Sequence, residues 1–436
     1  MLPYYFRLAL LSIRNNLWLS LLMVAAIALG IGVCMTIVTV NYIMGSDPIP
    51  SKSDQLFYVQ LDSWDPNGAF REPDEPPNQV TYLDAMALMQ AKPALRQAAM
   101  AGASLIVTPE DADLKPFIER IRATYADFFP MFEVPFVYGG GWTQAEDDNR
   151  TLVMVLSKTI NDRLFGGENS VGRTVRASGH TFTVVGVMDD WSPVPRFYDV
   201  TTNPFEETAG VFVPFNLITE LDLPRNGNTN CWKPSGDGMQ AFLNSECIWI
   251  QFWAELPTVT DQQAYLDFLN GYVLQQKELG RFQRPLNNRL NDVNTWMDKQ
   301  QVVQDEARIL LVVAVLFLAV CLLNTIGLLL SKYLGRSPEI GLRRALGASR
   351  GTVFTQFTVE SALIGVVGGV FGIGLTWLGL RGLELLFGDI VDNLVQLDWV
   401  MVASAVLLAI VASILAGLYP ALRACNVQPA GQLKAQ

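Results

Sequence analysis

The sequence is poor in the residues from which most catalytic centres are built. It holds one histidine, His180, which excludes any site needing two imidazoles and weakens both a zinc and a Ser-His-Asp reading. No glycine loop ends in the Lys-Ser or Lys-Thr pair that grips nucleotide phosphates. The nearest approach, Gly167-Glu168-Asn169-Ser170-Val171-Gly172-Arg173-Thr174, carries Arg where that motif demands Lys. The chain is therefore expected to be non-catalytic, with no cofactor or metal of its own. Charge is also scarce, at 17% of residues, and the net balance is -11, which argues against nucleic acid as a partner. Of five cysteines, Cys34 and Cys321 fall in apolar runs and Cys425 follows the last one. Cys231 and Cys247 remain as a candidate disulfide in an oxidising compartment, with two buried free thiols as the alternative.

What is abundant is apolar sequence: half of the residues are hydrophobic. Four runs reach the roughly 20 residues needed to cross about 30 Å of hydrocarbon as a helix. They predict transmembrane helices over 18–42, 305–331, 352–380 and 399–422. Lys and Arg are retained on the cytoplasmic side. Arg7 and Arg14 precede the first run, Lys332, Arg336, Arg343, Arg344 and Arg350 separate the second from the third, and Arg423 and Lys434 follow the fourth. Both termini are thus expected in the cytoplasm and the large segment 43–304 outside it. The short loop 381–398 agrees, with Glu384, Asp389, Asp392 and Asp398 against Arg381. A cleaved signal peptide is the rival reading of the first run, but its length and the missing small-residue cleavage pattern near Met35 favour a retained anchor. Residues 1–17 read as an interfacial helix or as a plain extension of the first span, and 423–436 as a cytoplasmic tail.

The segment 43–304 is of mixed α/β character. Strand candidates lie at Leu56–Leu61, Leu152–Leu156, Thr181–Val187 and Cys247–Trp253, with helices near 81–92, 158–165 and 260–277. The fold class is accordingly an α-helical membrane domain of four spans with an α/β extracytoplasmic domain between the first and second. From Asn294 to Ile326 there is neither Gly nor Pro, which predicts one continuous helix running from that domain into the second span.

The connection 332–351 carries the most specific local pattern. Ser337 reads as a helix cap, Pro338 as its first residue, Glu339 as a charge matched to the positive end of the dipole, and Gly347 as its stop. In the third span, Gly365 with Gly369 and Gly368 with Gly372 are each four apart, so they form small faces on which another helix packs, within the chain or across a dimer. Glu360 and Asn324 are polar groups inside apolar runs, read as helix-packing residues.

Glu339 to Ala348, then Gln356-Phe357, Glu360 and the glycine run, resemble the signature of FtsX-like permeases of the MacB type. Leu323-Asn324-Thr325 and the closing Tyr419-Pro420-Ala421-Leu422-Arg423-Ala424 with Pro429 and Leu433 are similar to that family too. So are Leu156-Ser157 to Gly166 and Val171-Gly172-Arg173 to Val187, which resemble its periplasmic core domain. The resemblance implies a permease subunit of a bacterial inner membrane, with a porter-like lobe carrying an inserted sabre-like lobe. It implies a dimer with a second copy or a paralogous permease, driven by a cytosolic ABC ATPase that binds ATP and Mg in a separate chain. Glu339, Ile340, Leu342, Arg343, Arg344 and Leu346 would contact that ATPase. A periplasmic adaptor and a TolC-like outer-membrane duct would be the further partners in export. Lipoprotein release, and FtsX-type regulation of periplasmic hydrolases without transport, are the alternatives.

Overall fold

The structure, a computed structural model, describes residues 2–109, 114–303, 305–387 and 399–426. Most of the expected short loop, residues 388–398, and the tail from 427 with Pro429, Leu433 and Lys434 lie outside the described residues. The chain divides into a unit of residues 1–45 with 303–436 and a unit of residues 46–302.

The first unit is helical. It begins with α1 (Leu2–Asn15) and α2 (Leu17–Met44), separated at Asn16, whose backbone leaves helical geometry. Of the two readings of the N-terminal segment, a separate helix is the one observed, and α1 packs chiefly on the third span.

The second unit opens with β1 (Leu56–Gln60), β2 (Val80–Thr81), α3 (Tyr82–Ala91), β3 (Arg96–Thr108) and β4 (Phe117–Thr124). Next come α4 (Phe128–Met131), β5 (Phe136–Gly139), α5 (Gln144–Asp148), β6 (Val153–Leu156), α6 (Lys158–Phe165), β7 (Thr174–Ala177) and β8 (His180–Met188). It continues through β9 (Val211–Pro214), α7 (Leu217–Glu220), β10 (Arg225–Asn226), α8 (Met239–Leu243) and β11 (Ile248–Glu255). It closes with α9 (Val259–Glu278), β12 (Arg289–Asp292) and α10 (Val293–Lys299).

Nine of these strands follow one path, β12-β1-β11-β3-β4-β9-β6-β8-β5. β3 joins its two halves: Arg96–Met100 pair with β11, and Ala101–Val107 pair with β4. The strands β4 to β9 are thus inserted, in chain order, between the strands of the first half. Strand alternation divides the core in two. Phe57, Val59, Ala99 and Ala101 belong to one buried cluster, and Leu56, Tyr58, Ala98 and Met100 to the other. The second is aromatic: Tyr58 stacks on Trp296 with centroids 3.7 Å apart, and Phe132, Phe197 and Trp253 meet edge to face. Cys231 and Cys247 are joined as a disulfide.

One expectation fails. The helix from Asn294 is not continuous into the second span, because α10 stops at Lys299 and Gln301 takes a left-handed backbone with φ 53°. The Val302 N–H then donates to the Met297 carbonyl at 3.1 Å. Both side chains lie in the aromatic cluster. This is a Schellman closure, in which a backward hydrogen bond and an apolar contact end the helix.

The chain returns to the first unit with α11 (Asp305–Leu334), α12 (Ser337–Ala345), α13 (Arg350–Phe387) and α14 (Trp399–Cys425). Among the described residues, four helices are long and apolar enough to cross a membrane: α2, α11, α13 and α14. The two glycine pairs of α13 serve two different neighbours. A Cβ added at Gly365 or Gly369 would lie 2.6 Å from Ser413 Cβ or 2.8 Å from Ala409 Cβ, both on α14. One at Gly368 or Gly372 would lie 2.7 Å from Ile27 Cγ2 or 3.0 Å from Ile31 Cγ2, both on α2. Each pair therefore lets a helix of the same chain approach closely.

Candidate coupling site

The sequence motif around Glu339 folds into α12, a short amphipathic helix between α11 and α13. Pro338 occupies the first turn and Gly347, at φ 101°, ends it. The cap differs from expectation: the capping position is Arg336, while the Ser337 hydroxyl lies inside the helix and donates back to the Leu334 carbonyl at 2.6 Å. Ser337 is thus bound to the preceding turn rather than to the amides ahead of it.

The six residues expected to face a partner separate into anchors and a free face. Ile340 is buried in the core of the membrane unit with Tyr333, Val353 and Phe357. Arg343 bridges Glu339 at 2.6 Å and donates to Gln356 Oε1 on α13 at 3.0 Å. Arg344 donates to the Cys425 carbonyl at the end of α14 at 3.0 Å. Leu342 and Leu346 stand one turn apart and are 59% and 80% exposed. These two leucines thus form an exposed apolar face on a helix whose other face is pinned to two spans.

Behind this helix lies a charged cluster that sequence reading left scattered. Glu360 of α13, placed among helix-packing residues, is fully buried, and Lys332 Nζ of α11 approaches its Oε1 at 2.6 Å. Ser12 of α1 donates its hydroxyl to the same oxygen. Lys332 also donates to Ser20 Oγ on α2 at 3.0 Å. Arg336 donates through Nη1 to Ser12 Oγ at 2.6 Å, and the same nitrogen lies 3.9 Å from Glu360 Oε2. Lys332 and Arg336 were legible only as charges that set orientation. The signal that could have joined them to Glu360 is spacing: 332 and 336 are one helical turn apart, so both charges share a side.

Among the described residues, Asn324 is not packed into a helix interface. It lies on the exposed side of α11, and Thr325 is the buried residue there, its hydroxyl donating to the Cys321 carbonyl at 2.9 Å. The phosphate-loop look-alike has α6 before it and β7 after it, the reverse of the strand-loop-helix order that such a loop needs. Its Arg173 lies over the Phe165 ring at 4.2 Å.

Comparisons with known proteins cover most of the chain. Residues 20–262 match the MacB-like periplasmic core domain, and residues 311–429 match the FtsX-like permease C-terminal domain. The chain is 26% identical over 310 residues to the macrolide export ATP-binding/permease protein MacB of Bdellovibrio bacteriovorus, covering 68% of this chain and 41% of that protein. It is 23% identical over 379 residues to the pyoverdine export ATP-binding/permease protein PvdT of Pseudomonas aeruginosa, covering 87% and 50%. The periplasmic region of MacB from Actinobacillus actinomycetemcomitans aligns at 15% identity and TM-score 0.37, over 58% of this chain and 94% of that one. The chain spans about half the length of these curated relatives. With more than half of its residues inside one family model and the FtsX-like domain behind it, the chain belongs to the MacB-type, FtsX-like permeases of ABC transporters.

Proposed function

We propose that this chain is the inner-membrane permease of an exporter in which α12 is the handle for a cytosolic ABC ATPase. ATP and Mg are bound there, and the permease converts the ATPase cycle into movement of its extracytoplasmic domain. The observation that carries the reading is the division of α12 between a pinned face (Ile340, Arg343, Arg344) and a free one (Leu342, Leu346). A handle needs both: without the pinned face a push would be absorbed, and without the free face nothing could grip.

In this scheme both termini are cytoplasmic and residues 43–304 periplasmic, which is where a periplasmic adaptor and a TolC-like duct would receive cargo. A second permease, identical or paralogous, completes the transporter. Asn324 supports that part of the reading, since an amide facing hydrocarbon is costly unless a neighbouring helix satisfies it. Gly327, three residues on, has no described atom near an added Cβ, so the same face has room for another backbone.

The test is Leu342→Glu with Leu346→Glu in the tagged full chain, with recovery of the co-purifying ABC ATPase measured against wild type. Recovery should fall at least about tenfold, since burying each leucine is worth about 1.5–3 kcal/mol. Unchanged recovery together with unchanged ATP turnover would overturn the reading.

A further inference from the structure

We infer that the N-terminal helix α1 is a working part of the coupling machinery, and that Ser12 is the positioning residue through which the start of α12 holds the buried carboxylate of Glu360. The inference rests on the coupling reading of α12 and assigns a role to a helix that lies outside it.

The argument is one of donors and acceptors. An arginine offers only donors and an ionised glutamate only acceptors, whereas a serine hydroxyl both donates and accepts. Arg336 is the residue at which α12 begins, and its carbonyl accepts from the Ile340 N–H at 3.0 Å. Its side chain does not reach Glu360 within hydrogen-bond distance, the nearest approach being 3.9 Å. Ser12 fills that gap, accepting from Arg336 Nη1 at 2.6 Å and donating to Glu360 Oε1. Arg336 Nη2 adds a longer bond to the Ser12 carbonyl, at 3.4 Å. The order Arg336 to Ser12 to Glu360 is therefore fixed by chemistry, and α1 is its middle link.

The network also reaches the first span. Lys332 shares Glu360 Oε1 and donates to Ser20 of α2. Ser12, Ser20, Lys332 and Glu360 are each at most 4% exposed, so water does not compete with these bonds and each is worth more than at a surface. A displacement of the start of α12 thus pulls on α1 through Ser12, and α1 leads through the break at Asn16 into α2.

The test uses the full chain in nanodiscs with its co-purifying ABC ATPase and spin labels at Leu10→Cys on α1 and Ala345→Cys on α12. Both positions are exposed, the three free cysteines are buried and the other two are disulfide-bonded. In wild type the label pair should give one narrow distance that is kept when ADP-vanadate traps the ATPase. Ser12→Ala should broaden it and cut coupled ATP turnover at least about fivefold, the size expected for one charge-assisted hydrogen bond. Ser12→Thr, which keeps the hydroxyl, should restore both, and Arg336→Met should reproduce the Ser12→Ala result. An unchanged distance in Ser12→Ala, or an equal loss in Ser12→Thr, overturns the inference. If Leu342→Glu uncouples turnover while Ser12→Ala does not, the role of α1 falls and the handle survives. If neither uncouples, both fall.

Discussion

The glycines of α13 give a prediction whose sign changes within ten residues. At Gly365 an alanine Cβ would sit 2.6 Å from Ser413 Cβ and 3.0 Å from the Ala409 carbonyl oxygen; at Gly368 it would sit 2.7 Å from Ile27 Cγ2. Carbon atoms rest about 3.5–4.0 Å apart, so α13 and its neighbour must separate by close to 1 Å. Overpacking of this kind costs about 1–3 kcal/mol. At Gly374 the added Cβ meets no described atom within 4 Å, and replacing a mid-helix glycine there should gain about 0.5–1 kcal/mol. Gly365→Ala and Gly374→Ala should thus differ by about 1.5–4 kcal/mol. At about 2–4 °C per kcal/mol for a unit of this size, that is roughly 3–16 °C in thermal midpoint. The assay is the monodisperse fraction surviving heating in detergent, read by size exclusion with tryptophan fluorescence. Gly374→Ala as damaging as Gly365→Ala, or Gly365→Ala and Gly368→Ala both neutral, would refute the packing argument.

Three further outcomes follow from other parts of the molecule. Glu360→Gln strands Lys332 in an apolar site and should cost about 3–5 kcal/mol, whereas Lys332→Met combined with Glu360→Gln should recover part of it, giving a clear coupling energy in a double-mutant cycle. Burial raises the Asp147 carboxyl from 3.8 to about 7, against the pull of N–H donors from Ala126 and Trp142 and with help from Asp148 and Asp127. The folded chain then keeps a proton that the unfolded chain has released, so this group's contribution is full below about pH 4 and fades as pH rises through 7. Melting of the extracytoplasmic domain within the full chain, followed by tryptophan fluorescence, should show a fall of about 2–4 kcal/mol across that window; an equally steep fall in Asp147→Asn would refute the assignment. Opening the Cys231–Cys247 bridge, which spans a sequence separation of 16, should cost about 3 kcal/mol. Equal melting with and without reductant, with thiol counting to confirm reduction, would contradict it.

The sequence reveals what depends on near neighbours and hides what depends on distant ones. The four spans, the strands at Leu56 and Thr181 and the helix at Lys158 to Phe165 are legible because periodicity and caps are local: Ser157 accepts from the Ile160 N–H at 3.3 Å, and Gly166 ends that helix at φ 64°. The long strand β3 is not, since its first part, Arg96–Ser104, carries four alanines with Met100 and Gly102, and Ala and Gly favour no strand on their own. Small residues suit it because both faces are covered: Ala98, Ala99, Ala101 and Ala103 are all buried, and Gly102 packs under the Asn226 carbonyl. Helix α12 is legible as a motif, but its division into anchored and free faces is not. That division depends on Gln356 and Cys425, which the fold alone brings to Arg343 and Arg344. Ser12 illustrates the same limit, being an ordinary serine until it meets Glu360, 348 positions away.

In the proposed function, motion passes between the extracytoplasmic domain and the second span, and the break between α10 and α11 lies on that path. A continuous helix would act as a rod, but holding Gln301 left-handed costs about 1–2 kcal/mol, while burying Val302 returns about 1.5–3 kcal/mol. Closure therefore wins by a narrow margin, and two substitutions should move it in opposite directions. Gln301→Gly removes the backbone strain and should raise hydrogen-exchange protection of the Val302 amide several-fold. Val302→Asp removes the apolar contact and should release the closure, so that the Val302 N–H exchanges its bond to the Met297 carbonyl for a helical one. If transport needs a rod, Gln301→Gly should impair ATP-coupled export and Val302→Asp should not. If the closure itself is the working joint, the ranking reverses, and Gln301→Gly should export at the wild-type rate or better. The apolar contact at Val302 favours the second outcome. Loss of export in Gln301→Gly, with its Val302 amide more protected than in wild type, would show that the joint has to open during the cycle and would refute it.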